Sequence, residues 1–169
     1  LDEQTGMGPV VSAAHKERVL GYIEKGIEEG AELVMDGRNY TVPEYPNGFF
    51  IGPTIFDNVK PDMTIAKDEI FGPVVSMVRA QNLDEVIDLI NSRGFANAAC
   101  IYTNDGATAR EFKYRILPSM VGINIGIAAP MSFFPFGGAG HSMFGDTKAH
   151  GQEIFNFFTD TKVVIQRWF

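Results

Sequence analysis

The segment KDEIFGPVV, residues 67–75, holds the residue types in this sequence that are best suited to bind a ligand. Glu69 is followed by Phe71, and the pair Gly72-Pro73 fixes a sharp backbone turn. A carboxylate placed there can accept hydrogen bonds from two hydroxyl groups of a sugar, and an aromatic face can contact a flat ring. Spacing alone slightly favours a purely structural interpretation, in which Glu69 is solvated and Phe71 belongs to the hydrophobic core.

The other residues that could do chemistry carry weaker signals. Cys100 is the only possible thiol nucleophile, and its apolar segment AACIYT predicts a buried and unreactive structural residue. His15, His141 and His150 have no metal-ligand spacing with one another or with Cys100. No GxGxxG pattern follows a strand and opens a helix, so the dinucleotide fingerprint is missing. The sequence therefore predicts no metal site, and Cys100 is not expected to be a nucleophile.

The elements that must position these residues alternate between helices and strands, which predicts an α/β fold. VVSMVRA and AACIYT flank a helix that is capped by Asn82, and both have the apolar character of strands buried on two faces, so we expect a crossover unit. In chain order, the expected elements are a helix from Ser12 to Gly30, a strand in AELVMDG, an extended run in FFIGPTIF, the strand VVSMVRA, a helix over about 83–91, the strand AACIYT, a helix over about 107–116 opened by Asn104-Asp105-Gly106, a strand in MVGINI, a short helix in GQEIFNFF and a strand in TKVVIQRWF.

Composition and charge exclude several classes of protein. The 169 residues can bury one core, and a net charge of −7 argues against a nonspecific nucleic-acid surface. The longest nearly uncharged stretch, Val121 to Gly140, is broken by prolines and glycines, so we expect no membrane span. A single cysteine suits a reducing compartment, and the cytoplasm is the expected location. The chain opens at Leu1 without an initiator methionine, as though a longer polypeptide had been entered partway.

Three stretches together resemble the aldehyde dehydrogenase superfamily, and the resemblance covers essentially the whole chain. They are GPVVSAAHKERVLGYIEKGIEEGAELVMDGR, EIFGPVV and PFGG, in this order along the chain. SFFPFGG with SMFGD, GQEIFNFFT and TKVVIQRW is similar to the methylmalonate-semialdehyde dehydrogenase branch. The resemblance implies that residues 1–158 form the C-terminal part of the catalytic domain, a parallel-type sheet with flanking helices. It also implies that residues 159–169 form an oligomerisation strand.

The same resemblance implies a reaction and the residues that serve it. Family members oxidise aldehydes with NAD or NADP through a thiohemiacetal on a cysteine, and this branch passes the acyl group to coenzyme A. The catalytic cysteine and the cofactor half are expected before Leu1. By resemblance, Glu69 holds the nicotinamide ribose and Phe71 lies against the ring. The expected walls of the pocket for the aldehyde substrate, methylmalonate semialdehyde, are Phe133, Phe134, Pro135, Phe136, Gly137 and Gly138.

Two other interpretations stay open at this point. One is a non-acylating aldehyde dehydrogenase of another branch, which would not need coenzyme A. The other is an interaction or scaffold protein that keeps an oligomerising surface without a cofactor half. TKVVIQRWF is an apolar segment with few charges, so its edge must be covered, either by its own domain or by another copy of the chain. The family resemblance implies the second arrangement, and for the parent enzyme we expect a homodimer or homotetramer joined through the C-terminal strand.

Overall fold

The structure, a computed structural model, describes residues 5–145 and 148–169. It divides into two compact units, one that ends at Ala80 and one that begins at Gln81. The elements of the first unit are α1 Ala13–Glu28, β1 Glu32–Met35, β2 Thr54–Asp57, α2 Thr64–Lys67 and β3 Val74–Ser76. Those of the second are α3 Leu83–Asn91, β4 Phe95–Ala96, β5 Ala98–Ile101, α4 Gly106–Arg115, β6 Met120–Ile123, β7 Ala139–Gly140 and α5 Glu153–Phe158.

The first unit packs α1 and α2 around a three-stranded sheet. The strand order is β1-β2-β3, with β1 antiparallel and β3 parallel to the central strand β2. Val19 and Ile23 of α1 and Phe56 of β2 are fully buried and belong to one hydrophobic cluster. Ile70, in the loop between α2 and β3, is buried in the same cluster. This core fixes the backbone on which the segment KDEIFGPVV is mounted.

The second unit has a smaller core and two small sheets. β5 and β6 form a parallel pair joined through α4, and β4 pairs with β7 in antiparallel register. Three buried residues, Ile87 of α3, Phe112 of α4 and Ile116, form the centre of its hydrophobic cluster. A short parallel pair with helices packed beside it is the α/β crossover arrangement.

The helices predicted from capping residues are confirmed. The Ser12 hydroxyl accepts a hydrogen bond from the backbone N–H of His15 at 3.2 Å, which begins α1. The Asn82 side chain accepts from the N–H of Glu85 at 2.9 Å, and α3 spans the predicted residues 83–91. Gly30, with a φ of +89°, follows α1 as a residue that ends a helix should.

Three predictions about the sheet were wrong. The strands before and after α3 belong to different sheets, so they do not form the predicted crossover; that unit is β5-α4-β6. The pairing is also mixed rather than parallel throughout, since β1 and β7 are paired antiparallel. Finally, the strands are not buried on two faces: Val75, in the centre of β3, is 56% exposed. An apolar run of residues does not specify its pairing partner or what covers it, so these errors share one cause.

The C-terminal segment differs from the prediction in part. The helix predicted in GQEIFNFF is confirmed as α5, but residues 159–169 form no strand in this chain, and their apolar side chains are exposed. Intermolecular pairing of this segment stays a prediction. Across residues 5–145 and 148–169, no helix has the length and apolar character needed to cross a membrane.

Candidate functional site

Glu69 and Phe71 lie in the loop between α2 and β3, on either side of the buried Ile70. Both side chains are exposed, and the Phe71 side chain keeps 69% of its surface accessible. The interpretation of Phe71 as a core residue is therefore wrong, because the core position belongs to its neighbour. Among the described residues, the Glu69 carboxylate has no hydrogen bond and no ion pair, so its oxygens are available to a ligand.

The backbone of this loop is held in an uncommon conformation. Phe71 has a φ of +55°, in the left-handed region that few residues other than glycine adopt, and such outliers occur often at ligand sites. Gly72 then passes close to α1: a Cβ atom on it would lie 2.7 and 2.8 Å from the two methyl carbons of Val19. The carbonyl of Pro73 accepts a hydrogen bond from the N–H of Thr54 at 2.8 Å. The loop is thus fixed at both ends of the Phe71-Gly72 pair.

Helix α1 binds the carbonyl groups of this loop through two side chains. The ring atom Nε2 of His15 lies 2.7 Å from the carbonyl oxygen of Phe71. The two terminal nitrogens of Arg18 donate to the carbonyl oxygens of Ile70 and Glu69, each at 3.4 Å. These contacts leave the Glu69 carboxylate and the Phe71 ring unengaged while they hold the backbone that carries them.

Tyr22, one helical turn beyond Arg18, extends the same row of contacts. Its hydroxyl donates to a carboxylate oxygen of Asp68 at 3.0 Å and accepts from Arg18 at 3.3 Å, while the Arg18 guanidinium lies 5.1 Å from the Tyr22 ring centre. Sequence reasoning missed this row. Its signal is the spacing of His15, Arg18 and Tyr22, which places three hydrogen-bonding side chains on one face of a helix.

The Glu69-Phe71 pair fits the ribose and nicotinamide end of NAD in its donor and acceptor chemistry. A free carboxylate offers two acceptor oxygens, and a ribose offers two neighbouring hydroxyl donors. An exposed aromatic ring beside it offers a flat apolar surface of the kind that a nicotinamide can contact. Both groups are exposed and neither side chain is engaged in the core, so both are accessible to a ligand.

The predicted substrate-pocket residues lie in the second unit, in the long loop before β7. Phe133 and Phe134 are 65% and 54% exposed, and their ring centres lie 4.7 Å apart. Pro135 is exposed, whereas Phe136 is half-buried with its ring centre 5.3 Å from that of His150. The two leading phenylalanines thus form an exposed apolar surface, while Phe136 is engaged with the loop itself.

Gly137 and Gly138 are buried, so they shape this loop through their backbone. A Cβ atom on Gly138 would lie 2.6 Å from the Cβ of Ser142. The Ser119 hydroxyl donates to the carbonyl of Gly137, and the Lys148 ammonium donates to the carbonyl of Gly138. Larger residues would not fit at this crossing, which explains why the run PFGG needs its two glycines.

Cys100 is half-buried on β5 and not buried as predicted. It pairs in register with Gly122 of β6, which has no side chain to cover the thiol. The Sγ atom lies 3.8 Å from the carbonyl oxygen of Gly126. This half-covered position comes from the neighbouring strand, which a pattern of apolar residues along β5 alone does not reveal.

The three histidines occupy separate places. His15 binds the loop carbonyl described above, His141 lies edge-on to Phe95 with 6.2 Å between ring centres, and His150 faces Phe136. Within residues 5–145 and 148–169, no group of three or more His, Cys, Asp or Glu side chains could hold a metal ion.

Comparison with known proteins identifies the family. The profile described as Aldehyde dehydrogenase family matches residues 1–164. The chain belongs to the aldehyde dehydrogenase family. The family resemblance predicted from the motifs is therefore confirmed.

Individual relatives show where in the family the similarity is strong. The chain is 51% identical to malonate-semialdehyde dehydrogenase 2 of Geobacillus kaustophilus, over 99% of this chain and 34% of that protein. The crystal structure of methylmalonate-semialdehyde dehydrogenase from Oceanimonas doudoroffii matches with a TM-score of 0.95 and 44% identity, over 99% of this chain and 34% of that one. A Mycobacterium tuberculosis aldehyde dehydrogenase complexed with NAD+ matches with a TM-score of 0.85 and 36% identity, over 94% and 32% of the two chains. The chain thus spans about one third of the length of these relatives.

Proposed function

We propose that this chain is the C-terminal part of an NAD-dependent aldehyde dehydrogenase and that it contributes Glu69 and Phe71 to the nicotinamide end of the cofactor site. The observation that carries the proposal is the free, exposed Glu69 carboxylate beside an exposed Phe71 ring on a loop that α1 and β2 hold in a fixed conformation. A cytoplasmic location is part of the proposal, since the sequence has one cysteine.

In this proposal the chain orients the cofactor and does not attack the substrate. NAD, when bound, supplies the hydride acceptor. Glu69 accepts hydrogen bonds from the two ribose hydroxyls, which fixes the direction of the attached ring. Phe71 covers part of that ring and excludes water from it. The nucleophile that forms the thiohemiacetal is a cysteine outside this segment, because Cys100 is half-buried beside β6 in the second unit and has no basic side chain among its hydrogen-bond contacts.

The substrate we propose is methylmalonate semialdehyde, with the acyl group passed to coenzyme A. The support comes from two relatives, whose names are malonate-semialdehyde and methylmalonate-semialdehyde dehydrogenase. The exposed ring pair of Phe133 and Phe134 supplies an apolar wall for a small aldehyde. If coenzyme A does not accelerate turnover of the full-length protein, the non-acylating alternative is correct.

We further propose that residues 159–169 join copies of the enzyme into a homodimer or homotetramer. Val163, Ile165 and Trp168 are each at least 80% exposed, and a terminal apolar segment with few charges is prone to aggregate unless it is covered. Main-chain pairing with a sheet of another copy would cover it. Deleting everything after Thr159 and measuring mass by analytical ultracentrifugation tests this: we expect a smaller assembly, and an unchanged assembly would exclude the segment as the main contact.

The proposed role of Glu69 is tested by the substitution Glu69→Gln in the full-length protein. The change keeps the size of the side chain but removes its charge, so the hydrogen bonds to ribose weaken. We expect a loss of about 1.5–3 kcal/mol, the range for hydrogen bonds to a charged group, or roughly 10- to 150-fold in the Kd for NAD. Glu44→Gln is the matched control, because Glu44 is also an exposed carboxylate of the first unit.

Calorimetry with NAD distinguishes the outcomes. An unchanged melting temperature with weaker NAD binding supports the proposal, and the control variant should bind as the unmodified protein does. Unchanged binding by Glu69→Gln refutes it. The 169-residue chain by itself is expected not to bind NAD appreciably, because the adenine and pyrophosphate contacts should supply most of the affinity and are expected outside this segment.

A further inference from the structure

We propose that His15 is a positioning residue for the cofactor site: its Nε2 atom holds the carbonyl of Phe71 and thereby fixes the directions of the Phe71 ring and the Glu69 carboxylate. The inference rests on the proposed function of Glu69 and Phe71. It adds a residue 56 positions away in sequence that would touch neither the cofactor nor the substrate.

The backbone of Phe71 needs an external hold, because its φ of +55° is unfavourable for a residue with a side chain. Two side chains of α1 donate hydrogen bonds to the carbonyl groups of this loop, and these hydrogen bonds differ in length. The 2.7 Å contact of His15 with the Phe71 carbonyl lies within the normal range for a hydrogen bond, whereas both Arg18 contacts are 3.4 Å long. His15 therefore makes the strongest of these contacts, and it makes it at the residue with the uncommon conformation.

His15 is itself held in place. It lies in the first turn of α1, where its backbone N–H is bound by the Ser12 hydroxyl. Four residues further along the same helix, the fully buried Val19 packs against Gly72. On adjacent turns of α1, Val19 thus packs against Gly72 and His15 binds the Phe71 carbonyl, and this fixes the position of the histidine ring relative to the loop.

His15 positions the loop and is not required for the fold, because other contacts hold the first unit together. The hydrophobic cluster of the first unit does not include His15, and Ile70 and Gly72 remain packed against the core and α1 without it. Removing the ring would free the Phe71 peptide to leave its left-handed conformation. The ring of Phe71 and the carboxylate two residues before it would then sample several directions, and NAD would have to select the productive one.

The test measures NAD affinity by calorimetry and the melting temperature in the full-length protein. His15→Ala removes the donor, and we expect NAD binding to weaken about two- to tenfold, the equivalent of one net hydrogen bond, with a small change in melting temperature. His15→Gln should restore binding, because the amide nitrogen of glutamine, like Nε2 of histidine, lies three bonds beyond Cβ. Glu17→Ala is the matched control on an exposed position of α1 and should bind as the unmodified protein does.

A double variant separates this inference from the function on which it rests. If His15 acts through Glu69 and Phe71, adding His15→Ala to Glu69→Gln should cost less affinity than the two single changes combined. Weaker binding by Glu69→Gln with unchanged binding by His15→Ala overturns the role of His15 and leaves the proposed function intact. Unchanged binding by Glu69→Gln overturns the proposed function and the inference with it. A large loss of melting temperature in His15→Ala that His15→Gln does not repair assigns His15 to the fold and also overturns the inference.

Discussion

The substitution Gly72→Ala tests whether the loop that carries Glu69 and Phe71 is held by its contact with α1. An added Cβ would lie 2.7 and 2.8 Å from the methyl carbons of the fully buried Val19, against about 3.5–4.0 Å for an ordinary carbon contact. The loop has little room to retreat, since Pro73 is bound to β2 on one side and Ile70 is buried on the other. The added methyl group must therefore displace the loop or the helix.

The magnitude follows from two opposing effects. Inserting a methyl group into a packed contact costs about 1–3 kcal/mol. Replacing glycine also reduces the conformational entropy of the unfolded chain, which stabilises the folded state by about 0.4–1 kcal/mol. We expect a net loss of about 1–2 kcal/mol in the free energy of unfolding. Gly21→Ala is the matched control: Gly21 lies on the exposed side of α1 with nothing within 4 Å of an added Cβ, so this change should stabilise by roughly 0.5–1 kcal/mol.

Urea unfolding of the 169-residue chain, followed by far-UV circular dichroism, measures both changes. Circular dichroism is preferable to fluorescence because the single tryptophan, Trp168, is exposed in the C-terminal segment and would not report on the core. Combining Gly72→Ala with Val19→Ala removes the overlapping methyl carbons, so the double variant should lose less stability than the two single losses combined. Equal stabilisation by Gly72→Ala and Gly21→Ala would refute the packing argument.

Three further predictions concern other parts of the chain. The hydroxyl and backbone N–H of Thr64 donate hydrogen bonds to the Glu29 carboxylate and lower its pKa, so the ionised carboxylate stabilises the fold above its ordinary pKa of 4.5, and this stabilisation is lost as the pH falls below that value. Glu29→Gln should therefore reduce the loss of unfolding free energy that accompanies acidification, as measured by urea unfolding at a series of pH values. Asn82→Ala should cost about 1 kcal/mol in urea unfolding, because it removes the N-terminal cap of α3. Cys100→Ser in the full-length protein should leave activity per folded molecule unchanged and alter the free energy of unfolding by less than about 1 kcal/mol, since the half-buried serine hydroxyl can donate to the Gly126 carbonyl. Loss of turnover in a folded variant would contradict the proposal that the nucleophile lies outside this segment.

The helices could be predicted from the sequence because their determinants are local. Asn82 and the residues that follow it contain the cap, the acidic first turn and the apolar face of α3, and the predicted bounds agree with the structure. The bounds of α4 agree within one residue for the same reason, since Asp105 caps it. These hydrogen bonds join residues at most four positions apart, so a short stretch of sequence is enough to predict them.

Strand pairing and the surroundings of the site could not be predicted in this way. β4 and β7 have two residues each, too few to show a period, and their pairing joins residues that are more than 40 positions apart. The sequence identified Glu69 and Phe71 as candidates but left open whether Phe71 is buried. That question is decided by Ile70 occupying the core and by His15 holding the carbonyl, and both contacts depend on α1, which begins more than 50 residues earlier.

A crystal structure of the full-length protein with NAD tests the central claim most directly. The proposal predicts that each of the two Glu69 carboxylate oxygens lies about 2.5–3.0 Å from a hydroxyl of the ribose attached to nicotinamide, with the Phe71 ring against that end of the cofactor. NAD bound with its nicotinamide ribose held by other residues, while Glu69 remains in solvent, would contradict it.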